Sequence, residues 1–261
     1  MTEYPDSNKE TPIQQPAVDT DFTREFRQVR KSLVLIAGVL SLSFFGLAVV
    51  YVQWMAPTVE GLSGRIGELA YFRAREMQEA GEVAAAVDLY EEALTRRFDD
   101  PRQRGWAQRH FGELLNELGR YEAATEVLEA CVADFPEDFQ AWRLLVHAYQ
   151  QLSDYDAAAA VGAAWYRLAG EVGAKENRGH AAYHYAMSLL QLGDEDAALA
   201  MFREGYALNP RTENAFRAAV LHERRGEYEE ARVLFAAYVG QRSGQYIDDA
   251  RSRLEQLREQ G

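Results

Sequence analysis

Cysteine is nearly missing from this chain: Cys131 stands alone among 261 residues. One thiol cannot staple its own chain, nor supply the paired cysteines of a zinc site. Proline is scarce as well, and its seven residues fall mostly within the first 60 positions or at loop positions beyond them. No Val/Ile-rich alternating run suggests a strand, whereas Ala, Glu, Leu and Arg dominate, so an all-α protein is expected. With a formal charge of −13, the chain lacks the clustered Lys/Arg excess that phosphate contacts require, which excludes a nucleic-acid binder. Also lacking are a Gly-rich phosphate loop, a Gly-x-Ser-x-Gly elbow and a nucleophile with its base. No enzyme activity and no cofactor are expected. The abundant Asp and Glu read as solvated helix faces, often with Arg at helical spacing.

Charge itself is missing from one long stretch. Between Lys31 and Glu60 lies SLVLIAGVLSLSFFGLAVVYVQWMAPTV, 28 residues without a charged side chain. At ~1.5 Å per residue, Leu33 to Met55 is long enough to cross a hydrocarbon core of about 30 Å. It is too long for a signal-peptide core and is followed by no small-x-small cleavage site, so a retained anchor is expected. Arg24, Arg27, Arg30 and Lys31 precede it closely, against Arg65 alone on the far side. The positive-inside rule then puts the N-terminus in the cytoplasm and the remainder outside. The expected organisation is a disordered cytoplasmic tail at 1–30, a transmembrane helix at 31–56, a linker at 57–66, a helical solenoid at 67–242 and a capping helix at 245–261. Ala37 and Ser41 offer a small-xxx-small contact for self-association of the anchor.

Beyond the linker one spacing recurs. The segments EAGEVAAAVDLYEEAL, ELGRYEAATEVLEACV, QLSDYDAAAAVGAAWY, QLGDEDAALAMFREGY and RRGEYEEARVLFAAYV align on Gly81, Gly119, Ser153, Gly193 and Gly226, at intervals of 38, 34, 40 and 33 residues. Five positions on stands Ala86, Ala124, Ala158, Ala198 or Ala231, small enough to let two helices approach closely. Nine positions on stands Tyr90, Leu128, Gly162, Phe202 or Phe235. At twelve come Ala93, Cys131, Trp165, Gly205 and Tyr238. Pro136 and Pro210 stop second helices. A period near 34 with helix–turn–helix content resembles the tetratricopeptide repeat. The resemblance implies about five helix–turn–helix repeats stacked as an α-solenoid, with IDDARSRLEQLREQ (Ile247–Gln260) as its cap. The longer intervals mark insertions, RRFDDPRQRG and LAGEVGAKENRG.

The same resemblance implies a concave face lined by the first helix of each repeat. Its frame directs Tyr71, Arg75, Trp106, Arg109, His110, Arg143, His147, His180, Tyr183, His184, Met187, Phe216 and Arg217 into that face. Glu113, Asn116, Gln150 and Glu223 accompany them. Aromatic anchors among arginines suit an extended peptide or a partner helix. One family subtype clamps a C-terminal carboxylate with Lys and Asn on successive first helices. Here the matching places hold Arg109 with Glu113, Arg143 with His147 and Tyr183 with Met187, so that clamp is absent. His180 and His184 share a helix face, but two or three imidazoles make an incomplete metal site, and no metal is expected. The functional expectation is a scaffold in the bacterial inner membrane, anchored once, whose periplasmic groove binds a protein or peptide in envelope assembly. The alternative is a regulatory or accessory subunit of an envelope enzyme or secretion complex, akin in layout to cytochrome c maturation or translocon-associated proteins.

Overall fold

The computed structural model describes residues 66–241 and 244–259, together with Gln28 and Lys31. The expected tail, membrane helix and Ala37/Ser41 contact, and the linker up to residue 65, lie outside these residues. Among the described residues no helix is long and apolar enough to cross a membrane.

Every regular element among them is helical. A helical stretch at 66–79 (α1) pairs with α2 (Val83–Thr95), α3 (Pro101–Glu117) with α4 (Tyr121–Asp134), and α5 (Phe139–Gln151) with α6 (Tyr155–Glu171). Next, α7 (Lys175–Gln191) pairs with α8 (Glu195–Leu208) and α9 (Asn214–Arg224) with α10 (Tyr228–Val239), before α11 (Ile247–Glu259) ends the array. The result is an all-α solenoid of five hairpins with a terminal helix.

One device closes all five hairpins. Gly81, Gly119, Ser153, Gly193 and Gly226 have φ of +78°, +71°, +59°, +85° and +75°. The following residue donates its N–H to a carbonyl five positions back: Glu82 to Met77, Arg120 to Leu115, Asp154 to Tyr149, Asp194 to Leu189 and Glu227 to His222. This is the Schellman closure, which satisfies carbonyls left over at a helix end and needs a left-handed residue to do so. Asp154 and Asp194 also cap the next helix, accepting from Ala157 and Ala197 N–H at 3.0 Å. Such caps contribute about 1 kcal/mol each.

The five repeat alanines have no accessible surface, nor do Tyr90, Leu128, Phe202 and Phe235. Gly162 breaks the pattern for a visible reason. A Cβ there would lie 3.0 Å from Tyr185 Cα, so α6 rests directly on the backbone of α7. Trp165, three residues later and 1% exposed, is a large side chain where three of the other four repeats carry a small one. Cys131 is buried, its thiol pushed up to about 12 chiefly by burial, with Asp138 adding to the effect. A thiol so protonated is a small core group rather than a nucleophile.

Neither insertion is a free loop. LAGEVGAKENRG lengthens α6 and α7 to 17 residues each, joined through Gly173 at φ +72°. RRFDDPRQRG supplies a short connection and the first turn of α3, where Asp100 caps the helix and Pro101 occupies its opening position. Pro suits that place because its missing N–H would have had no helical partner. Besides the hairpin contacts, α3 packs on α5 and α5 on α7, and no contact of like extent joins α4 to α6 or α6 to α8. The first helices thus lie on the inner side of the stack.

Candidate partner-binding groove

Three first helices contribute to one cleft of about 940 Å³. Arg102, Gly105 and Trp106 enter from α3, Gln140 and Arg143 from α5, and Asn177 and His180 from α7. Trp106 and His180 stand 13 residues before their turn residues Gly119 and Gly193, and Arg143 stands 10 before Ser153, one turn further along its helix. Phe135 to Phe139, between α4 and α5, form one wall, and Trp165 also lines the cleft. That wall is held in place: Trp142 donates its indole N–H to Pro136 O at 2.8 Å. Asp138 caps α5 through Ala141 N–H at 3.3 Å and pairs with Arg109 Nε at 2.9 Å. Trp106 is 45% exposed, and Arg143 is exposed as well.

The remaining expected groove residues divide into three groups. At the N-terminal end, Tyr71 Oη lies 3.0 Å from His110 Nδ1 with the rings stacked, and Arg75 lies 3.4 Å from both imidazole nitrogens. Burial, aided by Arg109 and Arg75, lowers His110 to about 4, so the ring is neutral near pH 7. Tyr71 is 4% exposed and belongs to the core, which leaves Arg75 as the accessible member of this group.

In the centre, His180 shares the cleft with Arg143, His147 follows Arg143 by one turn of α5, and His184 follows His180 by one turn of α7. All three are lowered, first by burial and then by the Arg143 charge in the case of His147 and His184. For His180, Glu213 and Glu176 work against the burial effect. His184 falls to about 3; it packs at 5.8 Å from the Trp165 ring and edge-on to Tyr183 at 5.3 Å. Among the described residues no three His, Cys, Asp or Glu side chains converge as metal ligands would.

The C-terminal group is taken up by the chain itself. Tyr246, just ahead of α11, stacks on Phe216 at 4.6 Å, and Arg217 donates to its hydroxyl at 2.9 Å while lying over its ring. Glu223 pairs with Arg253 of α11. Phe216, at 3% exposure, has no ring face left for a partner. Met187 and Tyr183 pack against the core between α7 and α9, and Asn116 is buried with Nδ2 donating to Leu144 O at 3.1 Å. Position-by-position reading of the repeat frame missed Phe135, Phe139 and Trp165. A large residue at position twelve of its repeat was the available signal for Trp165.

Two models of the tetratricopeptide repeat match, over residues 105–148 and 183–247. Both segments are tetratricopeptide repeats. The unmatched interval 149–182 contains α6 and the start of α7, the pair lengthened by the second insertion. Among solved structures, the chain is similar to a tetratricopeptide repeat protein from Parabacteroides merdae. Identity is 15%, the TM-score 0.59, and 74% of this chain and 73% of that one are covered. It is also similar to MamA from Desulfovibrio magneticus RS-1, at 16% identity and TM-score 0.56, over 70% of this chain and 99% of that one. These likenesses concern the fold. No curated protein matches the chain. Tetratricopeptide repeat proteins are in general non-enzymatic scaffolds that bind protein or peptide partners.

Proposed function

We propose that this chain is an adaptor of the bacterial inner membrane, anchored once near its N-terminus, whose groove receives a protein segment on the periplasmic side during envelope assembly. The observation that carries the reading is the cleft shared by α3, α5 and α7, where an exposed Trp106 stands beside an exposed Arg143. Tryptophan and arginine are among the residues enriched at the energetic centres of protein interfaces. The membrane part of the proposal rests on the uncharged segment between Lys31 and Glu60 and on the arginines before it. Tethering would confine the groove near the membrane and raise the effective concentration of its partner.

Co-purification from membranes tests the groove. Trp106→Ala and Arg143→Ala are expected to lose partners that Val233→Ala, on the exposed face of α10, retains. If every partner survives both groove substitutions, the cleft is not the binding surface. Alkaline phosphatase fused at Glu68 tests the topology: activity is expected, and an inactive fusion would reverse the orientation. Exchange of Leu33–Met55 for an unrelated membrane helix should be tolerated by a pure tether; loss of partners on exchange would favour the accessory-subunit reading.

A further inference from the structure

At the centre of the groove the chemistry is specific. Arg143 donates through Nε to Gln140 at 3.0 Å, and none of the ion pairs among the described residues includes it. Of the acids around the cleft, Asp138 is engaged by Arg109 and by the α5 N-terminus. Asp134 and Glu137 are exposed.

His180 lines the same cleft as Arg143, with His147 one turn along α5 and His184 one turn along α7. His147 meets the edge of Tyr121 from α4 at 6.2 Å. His180 on α7 has Nε2 3.4 Å from Asn209 Nδ2, with Glu176 on its own helix and Glu213 ahead of α9. His184 is held between Trp165 and Tyr183. Beneath them the Trp165 indole N–H is buried without an acceptor among the described residues. A buried donor left unpaired in this way is costly, and Trp165 lines the cleft.

We propose that this cluster makes the groove a proton-linked receptor for an acidic segment of a partner protein, in which a carboxylate seated against Arg143 is bound together with a proton taken up from solvent by the neighbouring imidazoles. The proposal rests on the reading of the cleft as the partner site. Its logic is electrostatic. In the free groove Arg143 and burial disfavour imidazolium. A bound carboxylate offsets the Arg143 charge and adds an attraction of its own, so the imidazole pKa values rise on binding. By linkage, affinity then increases as pH falls through the bound-state values. His180, exposed on the cleft wall, is the principal acceptor, with His147 second. Enclosed His184 stays neutral. The imidazoles thus supply positive charge conditionally, where a set of lysines would supply it at every pH.

The test uses the full-length protein in detergent micelles and random peptides of roughly 12 residues displayed on phage, selected at pH 6.0 and then synthesised. Selected peptides are expected to be enriched in Asp and Glu. They should bind about three- to tenfold more tightly at pH 5.5 than at pH 7.5, below the limit of about tenfold per pH unit for one proton. Calorimetry in two buffers of different ionisation enthalpy should show net proton uptake. Arg143→Ala should weaken binding about tenfold or more, Val233→Ala should leave it unchanged, and His180→Gln should flatten the pH ratio to less than about twofold. Peptides without acid enrichment that nonetheless need Trp106 and Arg143 would overturn this inference and leave the groove standing. Acidic peptides bound without pH dependence or proton uptake would remove the proton link. Peptides indifferent to both groove substitutions, or a selection that yields none, would overturn the groove reading itself.

Discussion

Gly162→Leu separates the fold described here from the average repeat. Four of the five repeats carry a large side chain at this position, so a substitution toward the repeat pattern is expected on sequence grounds to stabilise. The structure argues the reverse. A Cβ at residue 162 would already stand 3.0, 3.1 and 3.3 Å from Tyr185 Cα, Cβ and N, inside the ~3.5 Å at which carbon contacts become favourable. Two of those atoms are backbone, so no rotamer change relieves them, and α6 must move away from α7. Overpacking of this kind costs about 1–3 kcal/mol, and a leucine, with three carbons beyond Cβ, belongs at the upper end. Leaving glycine for a better helix former returns about 1 kcal/mol. The net expectation is a loss of about 2 kcal/mol, and at roughly 2–4 °C per kcal/mol for a domain of this size the melting temperature should fall by about 4–8 °C. Circular dichroism at 222 nm follows the transition. Hydrogen exchange on α6 and α7 guards against a local change hidden by the independence of repeats. Gly162→Ala should fall between the two. A leucine variant that melts at or above the wild-type temperature would refute the close backbone approach.

Other outcomes follow from the same geometry. Gly119→Ala meets no atom within 4 Å and tests backbone conformation alone; at φ +71° it should cost about 1 kcal/mol, while Ser153→Gly, at φ +59°, should gain up to about that amount. Both are measured by denaturant midpoint. Asn214→Ala removes buried hydrogen bonds to Gly179 O and Thr212 Oγ1 and should cost about 2 kcal/mol by the same measure. For pH, His110 is lowered to about 4 in the folded chain, so the unfolded chain takes up the proton first as pH falls. Its stability contribution is complete above an ordinary histidine value near 6.5 and is lost between there and about 4. Melting temperatures recorded from pH 7 to 4 should decline less steeply for His110→Gln.

The hairpin turns were legible because their cause is local. A left-handed residue is required wherever the Schellman bonds form, and glycine or a short polar residue at intervals near 34 records that requirement in the chain. The alanine five positions later was legible for a similar reason, since one close helix crossing depends on one small side chain. The cleft was only partly legible. Trp106, Arg143 and His180 follow the repeat frame, whereas Phe135 and Phe139 flank a connection outside it. Tyr71 and Phe216 occupy groove positions by frame and are nonetheless enclosed. Phe216 is covered by Tyr246, a contact across 30 residues that no periodic rule anticipates. The glycine at 162 is likewise a tertiary matter: it looks like a defect alone, and only the path of α7 at Tyr185 shows why it is there.

The closure of the last repeat by Tyr246 has a mechanical side. A load applied at the C-terminus would reach α11 first and peel it from α9 and α10 before disturbing the cleft between α3 and α7. Such peeling would bare Phe216 and Arg217, an aromatic and a cation previously shielded by the chain's own tyrosine. The tail is therefore a removable cover, and its detachment would lengthen the sticky inner surface by one repeat.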